Sequence, residues 1–172
     1  MKKLWLVLGC MLCLSGCTKS NIVDPIPSAE LTPDMNIYNR GIEIDWDLVT
    51  EDWNDIYADQ ADYPMAHSLE YVRDDDEETL DVKIYVQPGT TREDAAAYAT
   101  EALKGLNDSV YQQDFSFQKS EKYSYGSFVS IYTTHVIVAP YDTKDDESTW
   151  IIDDTIPDMT YKEVGEELEA EE

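Results

Sequence analysis

Leu80-Asp81-Val82-Lys83-Ile84-Tyr85-Val86-Gln87 is the stretch that decides the fold class. Leu80, Val82, Ile84 and Val86 alternate with Asp81, Lys83, Tyr85 and Gln87, the period of a strand with one buried and one wet face. Upstream, Ala66–Arg73 reads as a second strand, set off by the acidic loop Asp74–Thr79. Placing Arg73 opposite Leu80 puts Tyr71 against Val82 and Leu69 against Ile84 on the core side. The same register sets Glu70 opposite Lys83 on the outer side, a favourable cross-strand pair. Both faces select one register, so an antiparallel hairpin is expected.

Downstream, Pro88-Gly89 ends the strand, and Thr90/Glu93 and Thr91/Asp94 both have capping-box spacing. Ala95, Tyr98, Ala99, Ala102, Leu103 and Leu106 then form a narrow apolar stripe at helical spacing. Asp114–Tyr123 and Ser127–Pro140 read as strands, and Thr149–Ile156 as another after the polar turn Thr143–Ser148. Upstream, Gly41–Trp46 alternates Ile42, Ile44 and Trp46 as a short strand. Thr50–Gln60 reads as a helix whose buried side holds Val49, Trp53, Ile56 and Tyr57. Strands with one or two helices predict an α+β fold, a two-layer sandwich with a mainly antiparallel sheet. Strand order is left open.

The N-terminus carries Lys2 and Lys3, then an apolar run from Leu4 to Leu14, the pattern of an export signal. That run is too short to span a bilayer, which takes roughly 20 apolar residues. It ends in Leu14-Ser15-Gly16-Cys17, which resembles the lipobox of bacterial lipoprotein precursors. The resemblance implies cleavage before Cys17, a diacylglycerol on its thiol and an added acyl chain such as palmitate. It further implies a protein lipid-anchored on the extracytoplasmic face of the cell membrane. Residues 1–16 are then the signal peptide, and 17–36 are the lipidated cysteine and a linker bearing Pro25, Pro27 and Pro33. Fully extended, that linker reaches roughly 60 Å. Residues 37–158 form a single acidic domain, and 159–172 an acidic tail expected to fray, with a short helix possible from the Thr160/Glu163 spacing. Cleavage would remove Cys10 and Cys13 and acylation would occupy Cys17, leaving no thiol for a disulfide, nucleophile or metal.

The chain carries 12 Lys and Arg against 37 Asp and Glu, a formal net charge of −25. Such a field repels nucleic acid and anionic headgroups and suits divalent cations or a basic partner. The densest acidic stretch holds Asp45, Asp47, Glu51, Asp55 and Asp59, with Glu43, Asp52 and Asp62, and no Lys or Arg. On one helix Glu51, Asp55 and Asp59 would share a face, and a cation such as Ca²⁺ or a basic surface would relieve their repulsion. A solvated helix face is the commoner reading of such a run. The clusters Asp74–Glu78 and Asp142–Glu147 lack the alternating ligands and central glycine of an EF-hand loop. They read as solvated turns.

No cofactor other than that cation is expected. His135 shares a strand face with Ile137 and is expected to be packed or partly buried, and neither it nor His67 belongs to a zinc motif. No nucleophile elbow, Walker loop or dinucleotide fingerprint is present. Carboxylate pairs for glycoside cleavage need only be close in space. Tyr123, Tyr125 and Tyr132, near Tyr141 and Trp150, could form an aromatic face that stacks on a sugar or peptide, although aromatics are also ordinary strand formers. The expectation is a membrane-anchored binding module for an unknown protein, glycan or cation. The alternatives are an extracytoplasmic hydrolase acting through a carboxylate pair and a structural accessory lipoprotein.

Overall fold

The computed structural model describes residues 42–168. The expected signal, Cys17 and the linker lie outside the described residues, as do Gly41 and the last four residues of the tail. Four strands, β1 (Ala66–Asp74), β2 (Thr79–Val86), β3 (Thr133–Pro140) and β4 (Ile152–Ile156), form one sheet in that order. Helices α1 (Trp46–Tyr57), α2 (Arg92–Gln113) and the single turn α3 (Ser127–Ser130) complete an α+β fold.

The β1–β2 hairpin has the register read from its two faces, with Arg73 on Leu80, Tyr71 on Val82, Leu69 on Ile84 and Glu70 on Lys83. The acidic link between the strands is tied by Asp74, whose Oδ1 accepts the N–H groups of Asp76 and Glu77, both at 3.0 Å. The sheet is mainly antiparallel, as expected, but not purely so: β1–β2 and β3–β4 are antiparallel, whereas β2 and β3 run parallel. The reason is the connection: a 22-residue helix lies between them, and parallel neighbours need such a crossover. β4 then returns antiparallel to β3.

Leu80, Val82, Ile84 and Val86 are fully buried, as are Val136 and Val138 of β3. Helix α2 starts where the capping box placed it, with Thr91 Oγ1 accepting the Asp94 N–H at 3.1 Å. Its stripe of Ala95, Tyr98, Ala99, Ala102, Leu103 and Leu106 is buried. It packs against α1, where the Trp53 indole N–H donates to the Ala102 carbonyl at 2.7 Å. Helix α1 also reaches β1. There the Asn54 amide donates to the Leu69 carbonyl and accepts the Leu69 N–H, both at 3.1 Å, as a neighbouring strand would.

Five expectations are corrected. The strand at Gly41–Trp46 is absent over its described part, since Asp45 accepts the Leu48 N–H and starts α1 one residue later. Helix α1 therefore ends at Tyr57 rather than Gln60, and Ile56 is half exposed instead of buried. Asp114–Tyr123 is a loop laid along α2, whose side chains take its backbone groups. Asn107 donates to the Gln118 carbonyl at 3.0 Å, Asp108 accepts the Ser120 N–H at 2.8 Å, and Lys104 donates to the Lys122 carbonyl at 3.4 Å. Ser127–Pro140 divides into α3 and β3, and the last strand begins at Ile152.

The fifth correction concerns the tail. The packed chain continues past Asp158, and among the described residues no helix follows Thr160. Val164 is fully buried, its N–H bonded to Thr100 Oγ1 at 3.0 Å, and Lys162 forms an ion pair with Asp154. Tyr161–Gly165 is pinned to the core and closes in a turn at Val164–Gly165, where the Glu166 N–H donates to the Glu163 carbonyl at 3.1 Å.

Candidate functional site

The acidic stretch does not converge. Asp45 is engaged as the α1 cap and Asp59 lies beyond the helix, where its Oδ1 accepts the Ala61 N–H at 2.9 Å. Asp47, Glu51 and Asp55 are exposed along α1. Among the described residues no group of three or more His, Cys, Asp or Glu is placed to hold a metal ion. The expected aromatic face also separates: Tyr125 and Tyr132 are buried in the core, and only Tyr123 is exposed. The Tyr125 hydroxyl is tied to the Lys162 carbonyl, and burial raises its pKa above the ordinary phenol value.

A different grouping forms on the outer face of the sheet. Strand alternation turns Tyr85 and Lys83 of β2 outward, and parallel pairing brings Ile137 and Ala139 of β3 beside them. The segment 141–151 between β3 and β4 makes two short 3-10 turns there, Tyr141–Thr143 and Glu147–Thr149. Trp150 packs on Tyr85, Ile137 and Ala139, and its indole N–H donates to the Lys144 carbonyl at 3.0 Å. The Lys144 ammonium stands 4.6 Å from the Tyr85 ring centre and 5.5 Å from that of Tyr141, within cation–π range. The His67 imidazole stacks on Tyr141, with ring centres 3.4 Å apart and planes 13° from parallel. Beside this stack an open depression of about 550 Å³ is lined by Tyr141, Asp142, Thr143, Lys144, Asp145 and Asp146.

Electrostatics at this lip come from the loop itself. The Asp146 carboxyl is held below its ordinary range by hydrogen bonds from the Ser148 hydroxyl and N–H, so it stays an acceptor. Tyr85 is pushed upward, first by burial and then by the Glu70 carboxylate, which its hydroxyl approaches at 3.5 Å. Farther along the same face, His135 lies between two acids: Nε2 is 2.7 Å from Asp153 and Nδ1 is 3.4 Å from Asp81. Its ring is 39% exposed and held by carboxylates, so its environment is polar although Ile137 shares its face.

A rigid aromatic wall with fixed acceptors and one lysine can hold a polar or cationic group by stacking and hydrogen bonding. Tyr141 and Trp150 were visible in the sequence as part of an aromatic group. His67 and Lys144 were not: they join it only through the fold of 141–151, and the outward phase of Tyr85 was the one available signal. No family model, curated protein or solved structure matches this chain. Among the described residues no helix is long and apolar enough to cross a membrane.

Proposed function

We propose that this chain is an extracytoplasmic binding module, held to the membrane by a lipid on Cys17 and taking a basic or polar ligand at the lip around Tyr141. The anchor is supported by Leu14-Ser15-Gly16-Cys17 behind a basic and apolar leader. Binding is supported above all by the His67–Tyr141 stack beside the acid-lined depression, a preformed flat surface with charged acceptors. The net charge of −25 draws basic partners toward it.

Two measurements test the two halves. Mass spectrometry of the membrane-bound chain should find a mature N-terminus at Cys17 carrying the acyl mass, and Cys17→Ala should lose that mass and retain the leader; a mature chain beginning elsewhere or without acyl mass would rule out the anchor. For the lip, a lysine-containing peptide is titrated while Trp150 fluorescence is followed. Tyr141→Ala should weaken binding at least fivefold, and equal affinity in the variant would rule out this site.

A further inference from the structure

The loop 114–123 runs back along the solvent side of α2. Lys104, Asp108 and Tyr111 are spaced four and three residues apart and share one face of that helix. Ala95, Ala99, Ala102 and Leu106 are fully buried on another. Asp108 accepts the Ser120 N–H and Lys104 donates to the Lys122 carbonyl, so the loop is laid over this outward face. At one end the Phe115 ring meets Tyr111 edge-on, with centres 5.2 Å apart. At the other, Tyr123 meets Tyr161 edge-on at 6.0 Å, and the Lys122 ammonium stands 4.7 Å from the Tyr123 ring centre. Phe115 and Tyr123, 73% and 68% exposed, are the most exposed Phe, Tyr or Trp side chains among the described residues. Lys119 and Lys122 are exposed between them.

This strip also departs from the charge of the chain. From Ser109 to Pro140 Lys119 and Lys122 balance Asp114 and Glu121, on a chain whose net charge is −25. Asp114 is buried and accepts the Ser116 N–H, while Lys119 lies 3.9 Å from Asp108 and Lys104 lies 3.2 Å from Glu101. Glu121 is the loop's other acid and is exposed. The chain that leads back toward Cys17 joins the domain at the Phe115 end. There the Asp45 N–H donates to the Gln113 side chain at 2.7 Å, and the Gln113 amide donates to the Asp45 carbonyl at 2.9 Å, two residues before Phe115.

We propose that the loop 114–123 is a membrane-docking surface, with Phe115 and Tyr123 seated among the headgroups and Lys119 and Lys122 on lipid phosphates. The inference rests on the anchoring at Cys17 proposed above. Aromatic rings favour the boundary between headgroups and acyl chains, and lysines reach from such a boundary to charged groups. Acids elsewhere on the domain oppose contact weakly, because charges more than about 8 Å from the surface are screened at physiological salt. Two rings and two lysines bind a bilayer feebly on their own. A tether makes docking intramolecular, so a feeble surface suffices to orient the domain.

The test uses the full chain, processed in cells and reconstituted into phosphatidylcholine vesicles containing doxyl-labelled lipid. With Cys10 and Cys13 removed and Cys17 acylated, Ser116→Cys offers a single thiol for an environment-sensitive dye beside Phe115. Val72→Cys, on an exposed residue of the outer face of the sheet, serves as the comparison. Doxyl lipid should quench the dye at 116 roughly threefold or more than the dye at 72, as expected of a loop seated in the interface. Phe115→Ser with Tyr123→Ser should equalise the two sites, and Lys119→Glu with Lys122→Glu should do the same. Equal quenching at both sites in an acylated chain overturns docking and leaves the anchor standing. Quenching at 116 that survives both double substitutions overturns it as well. Blue-shifted emission at 116 without quenching means that another protein chain covers the loop, which also overturns it. A chain without acyl mass removes the anchor and this inference together.

Discussion

Gly105→Ala should destabilise the protein, although helix propensity alone predicts the reverse. Gly105 lies inside α2, where replacing glycine by alanine ordinarily gains about 0.8–1.0 kcal/mol. A Cβ built at this position would lie 2.0 Å from Tyr57 Cε2, 2.3 Å from Cζ and 2.7 Å from Cδ2. No carbon atoms approach so closely, so the ring must leave its seat. Tyr57 is not free to turn without consequence: it stacks on Tyr63 with centres 5.3 Å apart, and its carbonyl accepts the Tyr98 hydroxyl at 2.6 Å. Overpacking of this kind costs about 1–3 kcal/mol. Set against the propensity gain, the net loss is about 1 kcal/mol, a Tm decrease of a few degrees for a domain of this size. Urea and thermal melts measure it, and a cycle with Tyr57→Ala isolates the cause: without the ring, Gly105→Ala should become stabilising. A second readout is the Tyr57 phenol, which burial pushes up to about 12 and which should fall toward 10 once the ring is displaced. If Gly105→Ala raises stability in the otherwise unsubstituted chain, the packing of Tyr57 on α2 is refuted.

Asn54→Ala should cost about 1–3 kcal/mol, because it removes two hydrogen bonds to Leu69 and leaves their backbone partners bare. It also opens the β1 edge, so sedimentation should show concentration-dependent association, and an unchanged urea midpoint with a monomeric sample would refute the edge role. Alkaline titration forms the third prediction. Burial, the leading cause at each site, raises Tyr57 to about 12 and also raises Tyr98 and Tyr125. Since these folded-state values exceed the ordinary 10, the stabilisation is full below pH 10 and is lost as pH rises through the folded values. The urea midpoint should hold up to about pH 10 and then decline, with the ultraviolet signal of the last tyrosinates appearing alongside unfolding; full tyrosine ionisation in a folded chain would contradict their burial.

The hairpin was legible because two faces constrained it at once: apolar partners on the inside and Glu70 with Lys83 on the outside admit one register. The start of α2 was legible because capping is local chemistry, carried by Thr91 and Asp94 alone. Asp114–Tyr123 misled because Phe115 and Phe117 alternate with polar residues as in a strand. A strand would turn both to one face, but Phe117 is buried and Phe115 exposed, and the backbone after them, at Gln118, Ser120 and Lys122, is bonded by Asn107, Asp108 and Lys104 rather than by another strand. The alternation of residue types is silent about what pairs with the main chain. The candidate lip was hidden for a related reason. His67 and Tyr141 belong to strand ends far apart in sequence, and only the parallel placement of β3 beside β2 brings the segment after β3 to the hairpin.

The same distinction changes what the acidity means. Taken as charge alone, each acidic cluster invites a cation. In the folded chain every cluster gives up members to its own backbone: Asp45 and Asp59 in the first, Asp74 in the second and Asp146 in the third each accept main-chain N–H groups. Asp75 is engaged as well, accepting the Tyr132 hydroxyl at 2.8 Å and pairing with the Arg73 guanidinium. Asp108, Asp114 and Asp154 tie down the loop after α2, its first turn and the C-terminal segment at Gly165. A carboxylate accepting a backbone N–H has less capacity left for an ion, and several such residues in short turns hold their neighbours at the spacing of the turn rather than that of a coordination shell. The acidity of these clusters is thus spent in part on holding the chain's own turns, and under the proposed reading short-range selectivity would fall to the less numerous groups at the lip, the His67–Tyr141 stack and Lys144.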